Sequence, residues 1–75
     1  MSRLRRVSGQ EAIKALGKVG FVQMRQRGSH VVLKKVTSKG DVGCVVPLYR
    51  ELALGTLRSI LRQARITPEE FMGNL

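Results

Sequence analysis

Apolar residues first recur at helical spacing, at Ala12, Ile13, Leu16 and Val19, leaving Lys14 and Lys18 exposed as an i, i+4 pair. Ser8-Gly9-Gln10-Glu11 stands just before this stripe as a capping box, in which the Ser8 hydroxyl accepts from the Glu11 amide and the Glu11 carboxylate reaches back to Ser8. With Gly20 placed as the stop, the pattern predicts a helix over about Ser8 to Val19. The period then falls to two. Phe21-Val22-Gln23-Met24-Arg25 reads as a strand, Arg27-Gly28 as a turn, and His30-Val31-Val32-Leu33-Lys34 as a second, antiparallel strand. Alternation puts Val31 and Leu33 on one face and His30, Val32 and Lys34 on the other, so His30 is expected in solvent beside Lys34. Thr37 to Asp41 reads as a turn-rich connector, and Val42-Gly43-Cys44-Val45-Val46 as a third strand stopped by Pro47.

The helical period returns with Leu57, Ile60, Leu61 and Ala64, predicting a second helix from about Leu54 or Thr56 to Ala64. Arg58, Arg62 and Arg65 line another face of it, as a solvated row or as a contact for phosphate or an acidic partner. Thr67-Pro68-Glu69-Glu70 combines an N-cap, Pro at the first helical position and Glu at N3, opening a short terminal helix in which Phe71 anchors the tail to the core. The order is helix, three antiparallel strands, helix and a terminal helical turn. Two helices on one face of a small sheet bury a single core and leave the other sheet face free for a ligand. This is an α+β class with the layout of a double-stranded-RNA-binding domain.

Composition narrows what such a domain can do. Seventy-five residues suit one domain, spanning 1–75 with Met1 to Arg6 as a basic arm, frayed or seated on a partner. Cys44 is the single cysteine, which excludes an internal disulfide and a cysteine-based zinc site and fits a reducing cytosol. No apolar run approaches the roughly 20 residues of a membrane span, and no signal-peptide core opens the chain, so a soluble, cytoplasmic protein without membrane contact is expected. Fourteen Lys and Arg against five Asp and Glu give a formal charge of +9, the electrostatic footprint of a nucleic-acid partner. With two Phe and one Tyr, base-stacking platforms are few, and recognition of backbone and shape should dominate.

The candidate chemistry centres on Gly28-Ser29-His30. His30 is the only histidine, and Arg25, Arg27, Lys34 and Lys35 surround it in sequence. Imidazole titrates near pH 6.5 when unperturbed and so exchanges protons in both directions near neutrality. Among cations that attract a polyanion, this residue type is a candidate general acid or base at a phosphodiester; the plainer reading is a surface histidine that opens a strand. One His, one Cys and five scattered acids fit no metal-ligand spacing, and no cofactor motif is present.

The chain resembles the HicA family of bacterial type II toxins over nearly its whole length. The resemblance rests on Val7-Ser8-Gly9, Leu16-Gly17-Lys18-Val19-Gly20-Phe21, Arg27-Gly28-Ser29-His30 and Val46-Pro47. It continues through Glu51-Leu52, the run Gly55-Thr56-Leu57-Arg58-Ser59-Ile60-Leu61-Arg62-Gln63-Ala64, and Glu69-Glu70-Phe71. It implies a metal-independent messenger RNA interferase that inhibits translation, with His30 as the catalytic residue, RNA as substrate and a HicB-type antitoxin that covers the His30 region. RNA supplies its own nucleophile, the 2′-hydroxyl, and needs from the protein a base and charge stabilisation. Arg25, Arg27 and Lys34 are candidates to stabilise the phosphoryl oxygens, Gly28 to admit close approach of the backbone, and Ser29 to donate to phosphate. Many relatives carry a second histidine shortly after the Val-Pro pair, where this chain has Tyr49; a phenol, with an ordinary pKa of about 10, is no equivalent base. Leu54 stands where a proline is common, and Arg65 where a helix-ending glycine is common. Two alternatives remain on the sequence: a noncatalytic double-stranded-RNA-binding module, and a domain that binds an acidic protein and no RNA.

Overall fold

In the computed structural model, which describes residues 4–75, the capping box forms and sets the start of the first helix. Ser8 Oγ accepts the Glu11 N–H at 3.0 Å, and the Ser8 N–H donates to Glu11 Oε1 at 2.9 Å. That backbone hydrogen bond, helped by the Ser8 hydroxyl, holds the Glu11 carboxyl below its usual range. A negative charge therefore sits at the positive end of α1, Gly9–Lys18. Gly20 takes φ 108° and turns the chain out of the helix. The segment before the helix is more firmly placed than a frayed arm. Met1 to Arg3 lie outside the described residues, but Leu4 packs on the core, Arg6 meets Glu51 at 3.0 Å, and the buried Val7 accepts the Leu52 N–H at 2.7 Å.

The three strands are longer than their apolar runs. β1 spans Val22–Arg27, β2 His30–Thr37 and β3 Gly40–Pro47, antiparallel in the order β1-β2-β3. The first turn is Gly28-Ser29, with Arg27 paired to His30, one residue later than the sequence pattern suggests. Gly28 takes φ 57°, the positive value that a two-residue hairpin favours, and Gln26 Nε2 donates to its carbonyl at 2.9 Å. The expected connector at Thr37 to Asp41 is likewise mostly ladder. Thr37 Oγ1 accepts the Lys39 N–H at 3.2 Å and donates to the Gly40 carbonyl, so pairing continues to the Thr37–Gly40 partners and only Ser38 and Lys39 remain as loop.

Val31 and Leu33 of β2, with Cys44 and Val46 of β3, line the buried face, as alternation requires. β1 departs from that plan: all six of its residues are exposed. The buried Phe21 just before β1 sets one alternation phase, and the hairpin turn sets the opposite one. Met24 is the extra residue that absorbs the conflict, between the Gln23–Leu33 and Arg25–Val32 pairs. The helix-side positions of β1 are then Gln23 and Gln26, whose polar side chains stay exposed.

α2, Leu54–Ala64, lies on β3, and α3, Pro68–Met72, touches both α1 and α2. Leu57, Ile60, Leu61 and Ala64 face the core, and Phe71 is fully buried, anchoring the tail. Thr67 Oγ1 caps α3 by accepting the Glu70 N–H at 3.0 Å. Arg65 ends α2 at φ 58° and ψ 40°, a left-handed conformation that favours glycine. On the outer edge of β3, Gln63 Oε1 accepts the Val45 N–H at 3.2 Å.

Candidate active site

His30 opens β2 at the mouth of the first hairpin, exposed, with Arg27 as its partner in β1 and Pro47 as its partner in β3. Paired residues in a ladder share a face with about 5 Å between them, so the Arg27 guanidinium reaches the same solvent region as the imidazole. Arg25 pairs with Val32 and therefore stands on this face as well. Gly28 and Ser29 form the turn that precedes the histidine.

The Ser29 carbonyl accepts the Leu48 N–H at 2.6 Å, which ties the turn to the segment leaving β3. One residue on, the Tyr49 carbonyl accepts the Gly9 N–H at 2.9 Å. Gly9 is buried against Pro47, with no room for a Cβ between its backbone and the Pro47 carbonyl. The start of α1, the exit of β3 and the hairpin turn are thus joined around His30. The Tyr49 ring meets the imidazole edge to face, with centroids 6.4 Å apart and planes at 79°. Neither of the two ion pairs found among the described residues involves His30, so Tyr49 is the side chain that borders it from the β3 side.

Lys34 stands on the face that alternation gives it but not next to the imidazole. It shares the open face with His30 but lies four residues along β2, about 13 Å away. Its ammonium meets Asp41 Oδ2 at 2.8 Å. Arg27 takes the position beside His30 that the sequence pattern allots to Lys34. Cys44 is buried beneath the sheet, and burial pushes its thiol up to about 11, so it is a neutral core group at physiological pH. Among the described residues no three His, Cys, Asp or Glu side chains come together as a metal centre requires, and no helix is long and apolar enough to cross a membrane.

Arg50 and Gln10 escaped the sequence reading. With Ser8, Leu48 and Tyr49 they line a recess of about 250 Å³ next to the histidine. The signal that would have found them is Pro47, which ends β3 and turns residues 48 to 50 back over the start of α1. The ensemble offers one imidazole, cations on the same face and a basic surface, which suits proton transfer at an anionic ester.

The family described as HicA toxin of bacterial toxin-antitoxin matches residues 9–66, a span that holds His30, Arg27 and Tyr49. No curated protein matches the chain.

Proposed function

The chain belongs to the HicA toxin family of bacterial toxin–antitoxin systems, and on that premise we propose that it is an endoribonuclease that uses His30 to cleave messenger RNA and so inhibits translation. The observation that carries this reading is the placement of the only histidine, exposed at the hairpin mouth with Arg27 directly opposite it. In the reaction, the imidazole takes the proton of a ribose 2′-hydroxyl, and the 2′-oxygen attacks the adjacent phosphorus. The bond from phosphorus to the 5′-oxygen breaks, and that oxygen leaves with a proton from water or from the imidazolium. A 2′,3′-cyclic phosphate and a 5′-hydroxyl result. Arg27 and Arg25 stabilise the charge that gathers on the non-bridging oxygens, while Gly28 and Ser29 let the backbone come close. The water-exposed ladder position gives His30 little part in packing, so its role is chemical rather than structural.

A toxin of this kind works against an antitoxin partner. A HicB-type protein with an acidic surface suits the +9 chain, is attracted quickly, and blocks RNA by covering the hairpin mouth. The test is cleavage of RNA by the purified chain in excess chelator, native beside His30→Ala. The native chain should leave 2′,3′-cyclic or 3′-phosphate ends, and deoxyribose at the scissile position should block the cut. His30→Ala should retain fold and RNA affinity but lose cleavage. Retention of full activity by that variant, or products with 3′-hydroxyl ends, would overturn the mechanism. Undiminished RNA binding with no cleavage by either protein would leave a noncatalytic RNA-binding module.

A further inference from the structure

Tyr49 is the only tyrosine, and the two phenylalanines, Phe21 and Phe71, are buried, so apart from the His30 imidazole it is the single aromatic ring the surface offers. It stands 51% exposed next to the histidine. Its backbone is held at both ends, through its own carbonyl to Gly9 and through Leu48 to Ser29. A half-exposed aromatic on an anchored backbone gains little for folding from its exposed part. In an edge-to-face pair, whichever ring supplies the edge, at least one face of Tyr49 is not covered by His30. Tyr49 also lines a recess together with Ser8, Gln10, Leu48 and Arg50. At about 250 Å³ the recess falls below the roughly 300 Å³ at which pockets for drug-sized ligands begin, which suits one flat ring rather than a whole nucleotide.

We propose that this recess is a nucleobase subsite: Tyr49 stacks the base next to the scissile phosphate, Gln10 contacts its edge, and Arg50 meets the neighbouring phosphate. The proposal rests on the RNA-cleavage reading of His30 and adds the form of the substrate to it. A base reaches the recess only when it is splayed out of a helix, so the substrate is single-stranded RNA, even though the sheet-and-helix layout is that of a double-strand binder. The side-chain amide of Gln10 has both a donor and an acceptor, and hence the means to discriminate among bases. Arg50 adds a cation to the lining of the recess, and Arg27 stands opposite His30 on the sheet, so each can meet a phosphate of the same strand.

The chain has no tryptophan, so its ultraviolet fluorescence comes from Tyr49 alone. The probe is a short single-stranded oligoribonucleotide carrying 2′-O-methyl groups, which lacks the nucleophilic hydroxyl, beside the same strand with abasic positions and the same sequence as a duplex. The base-bearing strand should quench the fluorescence, and the abasic strand should bind more weakly and quench less. Stacking contributes about 1–3 kcal/mol per base, so Tyr49→Ala should weaken single-strand affinity by roughly 5- to 150-fold, while Tyr49→Phe keeps most of it and duplex affinity changes little. Equal quenching by abasic and base-bearing strands, or unchanged single-strand affinity in Tyr49→Ala, would overturn the subsite. If the native chain cleaves unmodified RNA in either of those cases, the His30 reading stands without the subsite. Base-dependent quenching by a chain that cleaves nothing leaves the subsite standing and removes the cleavage reading.

Discussion

Arg27 and His30 are direct cross-strand partners on the open face of the sheet, and β1 accommodates that pairing by carrying one residue too many at Met24. The hairpin turn imposes the pair, since a two-residue loop at Gly28-Ser29 fixes which residues oppose one another. Arg27 is thereby the cation that stands opposite the imidazole, whereas Lys34 lies further along β2 and is engaged with Asp41.

Charge reversal should separate the two. Arg27→Glu should weaken RNA binding across sequences, lower the salt dependence of binding by about one phosphate contact, and reduce cleavage more than it reduces affinity. Lys34→Glu should cost less of both, and losing its exposed ion pair should change stability by no more than about 1 kcal/mol. Binding isotherms at several salt concentrations, with single-turnover cleavage rates, check this. Equal loss of cleavage in both variants would show that the distance along β2 does not matter.

Deletion of Met24 is the complementary test of register. The pairs on either side of the bulge already alternate correctly across it, so a chain without Met24 should close into a regular ladder that keeps Arg25 and Arg27 on the His30 face. Cleavage within about threefold of native is the expected outcome on that geometry. Loss of the Arg27–His30 contact in nuclear Overhauser spectra would mean that the turn does not hold the pairing without the bulge.

Gly9→Ala probes the junction behind the site. An added Cβ has no space against the Pro47 carbonyl and the Leu48 backbone, so the start of α1 must move and the hydrogen bond from Gly9 to Tyr49 is strained. Overpacking of this kind costs about 1–3 kcal/mol, and in a domain of this size each kcal/mol lowers Tm by about 4–8 °C. Thermal melts read the stability. Cleavage measured well below Tm should also fall, because Tyr49 and the Ser29 turn are displaced together.

Arg65→Gly should act in the opposite direction and away from the chemistry. A non-glycine residue at φ 58° carries roughly 1 kcal/mol of strain, so the glycine variant should melt about 4–8 °C higher for each kcal/mol relieved. Cleavage of RNA by the variant should match native if the arginine row of α2 is a solvated face. A selective fall in RNA affinity would assign that row to the substrate.

Because they follow from local spacing, the sequence by itself determined the order of elements, both side-chain caps and much of the inward set of residues, though not Val7, Ala15 or Leu52. Ser8 and Glu11 are three residues apart, Leu57 and Leu61 four, and Val31 and Leu33 two, and such separations fix who shares a helix turn or a sheet face without reference to the rest of the chain. It also singled out His30, by composition alone. Only the tertiary structure decided what stands next to it. Alternation along β1 runs in one phase from Phe21 and in the other from the Gly28-Ser29 turn, and which prevails depends on contacts that neither run contains. Likewise Tyr49 comes to the histidine because Pro47 ends β3 over the first turn of α1, where Gly9 alone leaves room. Residues 19 or more apart in sequence meet there through the packing of a helix on a strand end, and no periodicity within either segment encodes that meeting.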